Sequence, residues 1–274
     1  MNFDEKVHVG NVYKRRKTVL NGSLFKSGIA EWGFERPMTK KQVVIALFLL
    51  ALTCPAAEAH HLWVIPSGQE LSVARGLAPD RVDAYDSRHV VMFRAFDRSG
   101  KKIPVKRAEK VDQARFSSEG APAMAAVVCE WGGRVNTPEG KKLLSKQQAL
   151  EQGLKVVSAF ESIQYAKSVF DHRIEWTRPL GLKFEIIALE NPKDVLPGEA
   201  LAIQVLFKGA PLAGCQVGAG KDKALEKTDE KGTAEIRLEK PGLQVLIAIH
   251  NVPVEGRSDI DYQQFMSFLT FDWP

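Results

Sequence analysis

Short apolar segments separated by turn residues fill the C-terminal third of this 274-residue chain. They are rich in Val, Ile, Leu and Phe and recur roughly every ten residues: 182–189, 200–207, 234–238, 243–250 and 265–271. The breaks between them contain glycine and proline, which supply the backbone angles that turns require: Pro197-Gly198, Gly209-Ala210-Pro211, Asp229-Glu230-Lys231-Gly232 and Pro241-Gly242. The spacing predicts a mainly β fold, with an antiparallel, immunoglobulin-like β-sandwich of transthyretin or carboxypeptidase-regulatory type over residues 181–274.

Residues 60–180 have a less regular pattern. Strands are predicted at 62–65, 90–96 and 125–129, and one helix is predicted at 138–152, with Pro near its start and leucines along one side. We therefore expect an N-terminal β-rich domain with one helix, joined to the sandwich near 178–181.

The first 59 residues have the features of a leader. Residues 38–59 combine a basic start, an apolar run at 43–52 and the exit Ala57-Glu58-Ala59, which is typical of a signal peptide cleaved after Ala59. The run is about half of what crosses a bilayer, so a membrane anchor is the weaker alternative. Residues 1–37 are interpreted as an extension ahead of a start at Met38, or as a long basic leader. The mature protein is expected to be periplasmic or secreted.

The charge of the chain does not favour a nucleic-acid partner. The formal net charge is +5, but the leader carries much of it and leaves 29 basic and 28 acidic residues in the remainder. Two cysteines remain after cleavage, Cys129 and Cys215, and we expect two unpaired thiols, with a disulfide as the alternative.

Signal cleavage would make His60 the first residue, followed by His61. The free α-amine and a neutral imidazole both offer lone pairs near neutral pH and can chelate one transition metal. Nitrogen ligands of this kind suit nickel, cobalt and copper. His250, at the end of a predicted strand, is the candidate for a further ligand from the folded body. Each of these histidines could instead have a purely structural role.

Other candidate residues carry a weaker signal. Asp80, Asp83 and Asp86 lack the glycine and closing glutamate of a calcium loop and are interpreted as a solvated surface loop, and His172 as a solvated residue. The chain has no Gly-x-Ser-x-Gly, His-Glu-x-x-His or Cys-x-x-Cys motif. We therefore expect a protein that is not an enzyme.

Several segments resemble one bacterial family. The exit Ala-His-His-Leu-Trp-Val-Ile-Pro, the turns Pro197-Gly198-Glu199 and Thr228-Asp229-Glu230-Lys231-Gly232, and the strand ending at His250 are similar to a periplasmic family of unknown function. Its members are often labelled NikM-like, or the periplasmic component of cobalt or nickel transport. The resemblance covers most of 60–274 and is loosest over 133–177.

The resemblance implies a β-sandwich and a divalent-metal ligand set at His60, His61 and His250. The partners would then be the metal ion and a separate membrane transporter component. Two alternatives stay open: a structural module whose immunoglobulin-like part binds a protein or glycan, and a copper enzyme of the oxidative polysaccharide-cleaving kind.

Overall fold

The computed structural model describes residues 60–108, 112–220 and 225–274, all within one compact unit, Ala56–Pro274. The predicted extension 1–37 and signal peptide 38–59 lie outside the described residues. The described part is mainly β, as predicted, and its strands form three sheets.

The first sheet lies at the start of the described chain and is antiparallel, in the order β1-β2-β7-β6, with β3 paired to β2. Its strands are β1 His61–Ser67, β2 Glu70–Leu77, β3 Arg81–Val82, β6 Val105–Ala108 and β7 Arg115–Ser118.

The second sheet is the largest and takes strands from both halves of the chain. Its strands are β4 Val90–Phe96, β5 Lys102–Ile103, β8 Met124–Thr137, β9 Gly140–Lys142, β10 Ser158–Val169, β14 Gln216–Ala219, β15 Glu226–Lys227, β17 Gly242–Pro253 and β18 Tyr262–Trp273. The order is β15-β14-β17-β18-β10-β8-β4-β5, with β9 paired to β8. The pair β10 and β18 is parallel, whereas the other pairs in this sheet are antiparallel.

The third sheet is small and antiparallel. It contains β11 Phe184–Ala188, β12 Ala200–Phe207, β13 Ala210–Pro211 and β16 Thr233–Arg237. Helical structure in the described chain is limited to α1 Lys146–Glu151 and two 3-10 turns, Ser87–His89 and Pro192–Asp194. None of the described helices is long and apolar enough to cross a bilayer.

The large sheet is the middle of three layers because a separate apolar core covers each of its faces. One core joins it to the first sheet and includes Leu62, Val73 and Phe268. The other joins it to the third sheet and includes Phe184 and Leu269. Alternate residues of β18 enter opposite cores, as the period of two along a strand requires.

Two sequence predictions differ from this architecture. Most of the predicted helix 138–152 is not helical: β9 and a turn occupy its first half, and α1 begins only after the capping box of Ser145. The boundary expected near 178–181 separates strands that share the large sheet, since β10 pairs with β18. The strand predicted at 243–250 is part of β17, which lies between β14 and β18 in the large sheet.

Candidate functional site

His60 stands directly before β1 and faces a carboxylate. Its Nε2 lies 3.0 Å from Asp83 Oδ2, and Arg81 Nε lies 2.9 Å from the other oxygen, Oδ1. Asp83 Oδ2 is buried and receives no well-directed hydrogen bond from the described residues. The expectation of a solvated acidic loop is therefore wrong for Asp83, although it describes the exposed Asp86–Arg88 pair.

A glycine allows the strands that carry these groups to approach. Gly76 is the register partner of His61 on one side and of Val82 on the other, and its φ is +152°. A Cβ at this position would lie 2.1 Å from the Arg81 carbonyl oxygen, so a side chain cannot be accommodated without moving β3. The Asp83 N–H donates to the Arg75 carbonyl at 2.7 Å and fixes the turn beside His60.

The surroundings keep the His60 imidazole neutral. Burial lowers the pKa of His60 below its usual value, and the positive charge of Arg75 lowers it further, against the opposing effect of Asp83. A neutral imidazole has one nitrogen with a free lone pair, which is the form that binds metals.

The position of Asp83 determines which nitrogen of the His60 ring carries the lone pair. A carboxylate next to Nε2 favours the proton on Nε2 and leaves Nδ1 as the lone-pair nitrogen, which is the usual second-shell arrangement of a metal-ligating histidine. Nδ1 is also the ring nitrogen nearer the backbone nitrogen of the same residue. Cleavage after Ala59 would therefore place an amine and Nδ1 where both can contact one ion.

His61, the second predicted ligand, points into the core instead. It is buried, the Ala78 N–H donates to its Nδ1 at 3.3 Å, and its ring lies 6.1 Å from that of Phe268. Because Nδ1 accepts a hydrogen bond, a neutral ring must carry its proton on Nε2, so neither nitrogen has a lone pair to offer.

His250, the third predicted ligand, does not lie with His60 and His61. It pairs with Phe265 across β17 and β18, and its ring lies 4.9 Å from that of Phe207 in the core beneath the third sheet. His61 contacts Phe268, on the opposite face of the large sheet. The three histidines therefore do not converge, and the described residues contain no group of three or more metal-ligating side chains.

The comparisons with known proteins place the chain in a family. The model of the family described as a domain of unknown function, DUF4198, matches residues 57–252. The chain belongs to this family. It is also 22% identical over 235 residues to an uncharacterized protein of Haemophilus influenzae, an alignment that covers 86% of this chain and 99% of that protein. No solved structure matches the chain significantly.

The DUF4198 chain has an arginine–tryptophan contact near His60 that the sequence did not reveal. The guanidinium of Arg75 lies over the Trp131 ring, with Cζ 4.7 Å from the ring centroid. Trp131 is buried, and its Nε1 donates to Gln164 Oε1 at 2.8 Å. Arg75 lies on β2 and Trp131 on β8, so only the packing of the first sheet on the large sheet brings the two side chains together.

The other histidines and the two cysteines among the described residues have structural surroundings. His89 Nδ1 lies 2.7 Å from the Glu130 carbonyl oxygen. His172 is half-buried rather than solvated, and its Nε2 lies 2.6 Å from the Asp272 carbonyl oxygen. Cys129 and Cys215 are both buried and unpaired, in the two separate cores, as expected. Burial raises the pKa of both thiols, which keeps them protonated.

Proposed function

We propose that this DUF4198 chain is an exported, non-enzymatic protein that binds nickel, cobalt or copper through the α-amine and Nδ1 of His60. One observation carries the proposal: the Asp83 carboxylate lies against Nε2 of His60, the ring nitrogen that the metal would not use. The donor set is nitrogen, which these three metals prefer.

The proposed ligands come from His60 alone, whereas the sequence predicted ligands from His60, His61 and His250. His61 and His250 are left out because one is committed to a backbone N–H and the other lies across the sheet. A chelate from one residue leaves coordination positions open, which suits a protein that takes up and releases its ion. The resemblance to proteins labelled as periplasmic components of cobalt or nickel transport supports delivery to a separate membrane component.

The decisive test blocks the amine. The chain 60–274, beginning at His60, is titrated with Ni²⁺, Co²⁺ and Cu²⁺ by calorimetry, beside the same chain extended by Gly-Pro ahead of His60. The extension removes the amine from His60, so we expect metal affinity to fall about tenfold or more. Equal affinity of the two chains, or no binding by either, would refute the N-terminal site and favour the interaction module.

A second pair of variants tests the positioning role of Asp83. Asp83→Asn keeps the size of the side chain but removes the charge that holds the Nε2 proton, so we expect metal affinity to fall about 10- to 100-fold. His250→Gln is the matched control and should bind as the parent does, because His250 faces the other core. A loss in H250Q as large as that in D83N would contradict this assignment.

A further inference from the structure

Arg75 is a half-buried cation whose charge is only partly compensated. Its Nε is buried and meets no hydrogen-bond acceptor among the described residues. The Asp83 carboxylate attracts Arg75 electrostatically, but its Oδ1 lies 2.9 Å from Arg81 Nε and its Oδ2 lies 3.0 Å from His60 Nε2. A half-buried guanidinium normally has a bidentate anionic partner, since burying an unpaired charge costs free energy.

A second arginine contacts the same tryptophan. Arg134 Nη1 donates to the Trp131 and Gly133 carbonyls, which holds Arg134 on the same residue that Arg75 covers. A β-bulge in β8 at this point brings Trp131 and Arg134 to the face of the large sheet that the first sheet covers. The repulsion between the two cations adds to burial in lowering the pKa of Arg134.

Both guanidiniums are held in place before any ligand arrives. The indole of Trp131 is fixed by its hydrogen bond to Gln164, and the Arg75 guanidinium lies over this fixed ring. A fixed planar fork matches a planar carboxylate and loses little side-chain entropy on binding one.

We propose that Arg75 and Arg134 form a carboxylate-binding subsite beside His60, which takes a small organic acid. The subsite does not depend on the metal. If the proposed function holds, an acid with two or more carboxylates would bind Arg75 with one group and the His60-bound metal with another, so the natural cargo would be a metal–carboxylate complex.

The probe is citrate, titrated calorimetrically into the chain 60–274 without metal. Arg75→Gln and Arg134→Gln should each weaken citrate binding about tenfold or more, and Arg75→Lys should restore it only partly because lysine lacks the planar fork. Arg115→Gln is the matched control: Arg115 is also half-buried with an unpartnered Nε, but it lies on β7 without a described aromatic partner. Thermal unfolding of each variant confirms that it is folded.

The outcomes separate this subsite from the metal site. Citrate binding that is absent in the parent, unchanged in both R75Q and R134Q, or equally lost in R115Q would overturn the subsite. Inorganic phosphate binding as tightly as citrate would overturn its carboxylate selectivity. Ni²⁺ alone tests the His60 site, which can succeed or fail whatever citrate does. With both ligands present, tighter binding of Ni²⁺ in the presence of citrate supports the joint cargo, and independent binding rejects it.

Discussion

His250 is surrounded by aromatic rings rather than by polar partners. Phe207 and Phe184 lie 4.9 Å and 6.2 Å from its ring, centroid to centroid. The Nζ atoms of Lys183 and Lys208 lie 5.8 Å and 5.6 Å from the centroid of the Phe207 ring, in the same aromatic cluster. Burial lowers the pKa of His250, since this environment solvates an imidazolium poorly.

This pKa shift makes stability depend on pH in a definite direction. The unfolded chain binds a proton at His250 near pH ~6.5, whereas the folded chain binds it only at lower pH. Stability should therefore rise with pH through the interval below about 6.5 and be lost as the solution is acidified. His250→Gln should show a smaller fall in Tm between pH 7.5 and 5.0 than the parent. An equal fall in both would contradict the shift.

At the scale of single residues, the sequence indicated His60 but not its surroundings. The cleavage pattern predicted His60 as the first residue of the mature chain. The proposed role of Asp83 depends on the pairing of β3 with β2, and a strand of two residues is too short to be predicted from its sequence. Arg75 and Trp131 are 56 positions apart in the chain and meet only in the folded protein.

A buried ion pair joins β10 to β11. Lys167 Nζ lies 3.3 Å from Glu185 Oε1, and both side chains are almost fully buried. Glu185 also accepts the N–H groups of Leu180 and Leu182, while Lys167 donates to the Arg178 carbonyl. The segment at the expected domain boundary is therefore held against the large sheet by charged hydrogen bonds.

Removing one member of this pair should be costly. Lys167→Met leaves the Glu185 carboxylate buried without its cation, so we expect the free energy of unfolding to fall by about 3–5 kcal/mol, measured by urea denaturation. The exposed Lys106→Met is the control and should change it by less than about 0.5 kcal/mol. Near-equal values for K167M and K106M would show that the pair does not matter to stability.

Buried polar residues on β10 explain why this strand was not predicted. Ser162, Gln164, Lys167 and Ser168 are all buried on this strand, so its sequence does not alternate between apolar and polar positions. By contrast, β4 and β12 were predicted with their observed bounds because their side chains are mostly apolar and turns flank them. The prediction of a helix at 138–152 is wrong over its first half. Its leucines match a helical period, but Gly140, at φ +111°, belongs to the turn into β9.

The whole molecule has one sheet shared by two cores. Trp131 lies in one core and Trp273 in the other, on opposite faces of that sheet. Since the strands between them are common to both, neither core can be lost without exposing the other.

Unfolding should therefore be a single transition rather than two. We expect tryptophan fluorescence and far-UV circular dichroism to give coincident urea curves for the chain 60–274. Two separated transitions would instead support independent units on either side of residue 180.

The position of β18 has a consequence for when the protein can fold during its synthesis. β18 lies between β17 and β10 in the middle of the large sheet. Until the ribosome has added residues 262–273, β17 and β10 each lack the strand that pairs with them at that edge. Both cores also lack the apolar side chains of β18. A polypeptide that lacks residues 262–273 therefore cannot close either core, so the translation of this segment sets the earliest moment at which the fold can be completed.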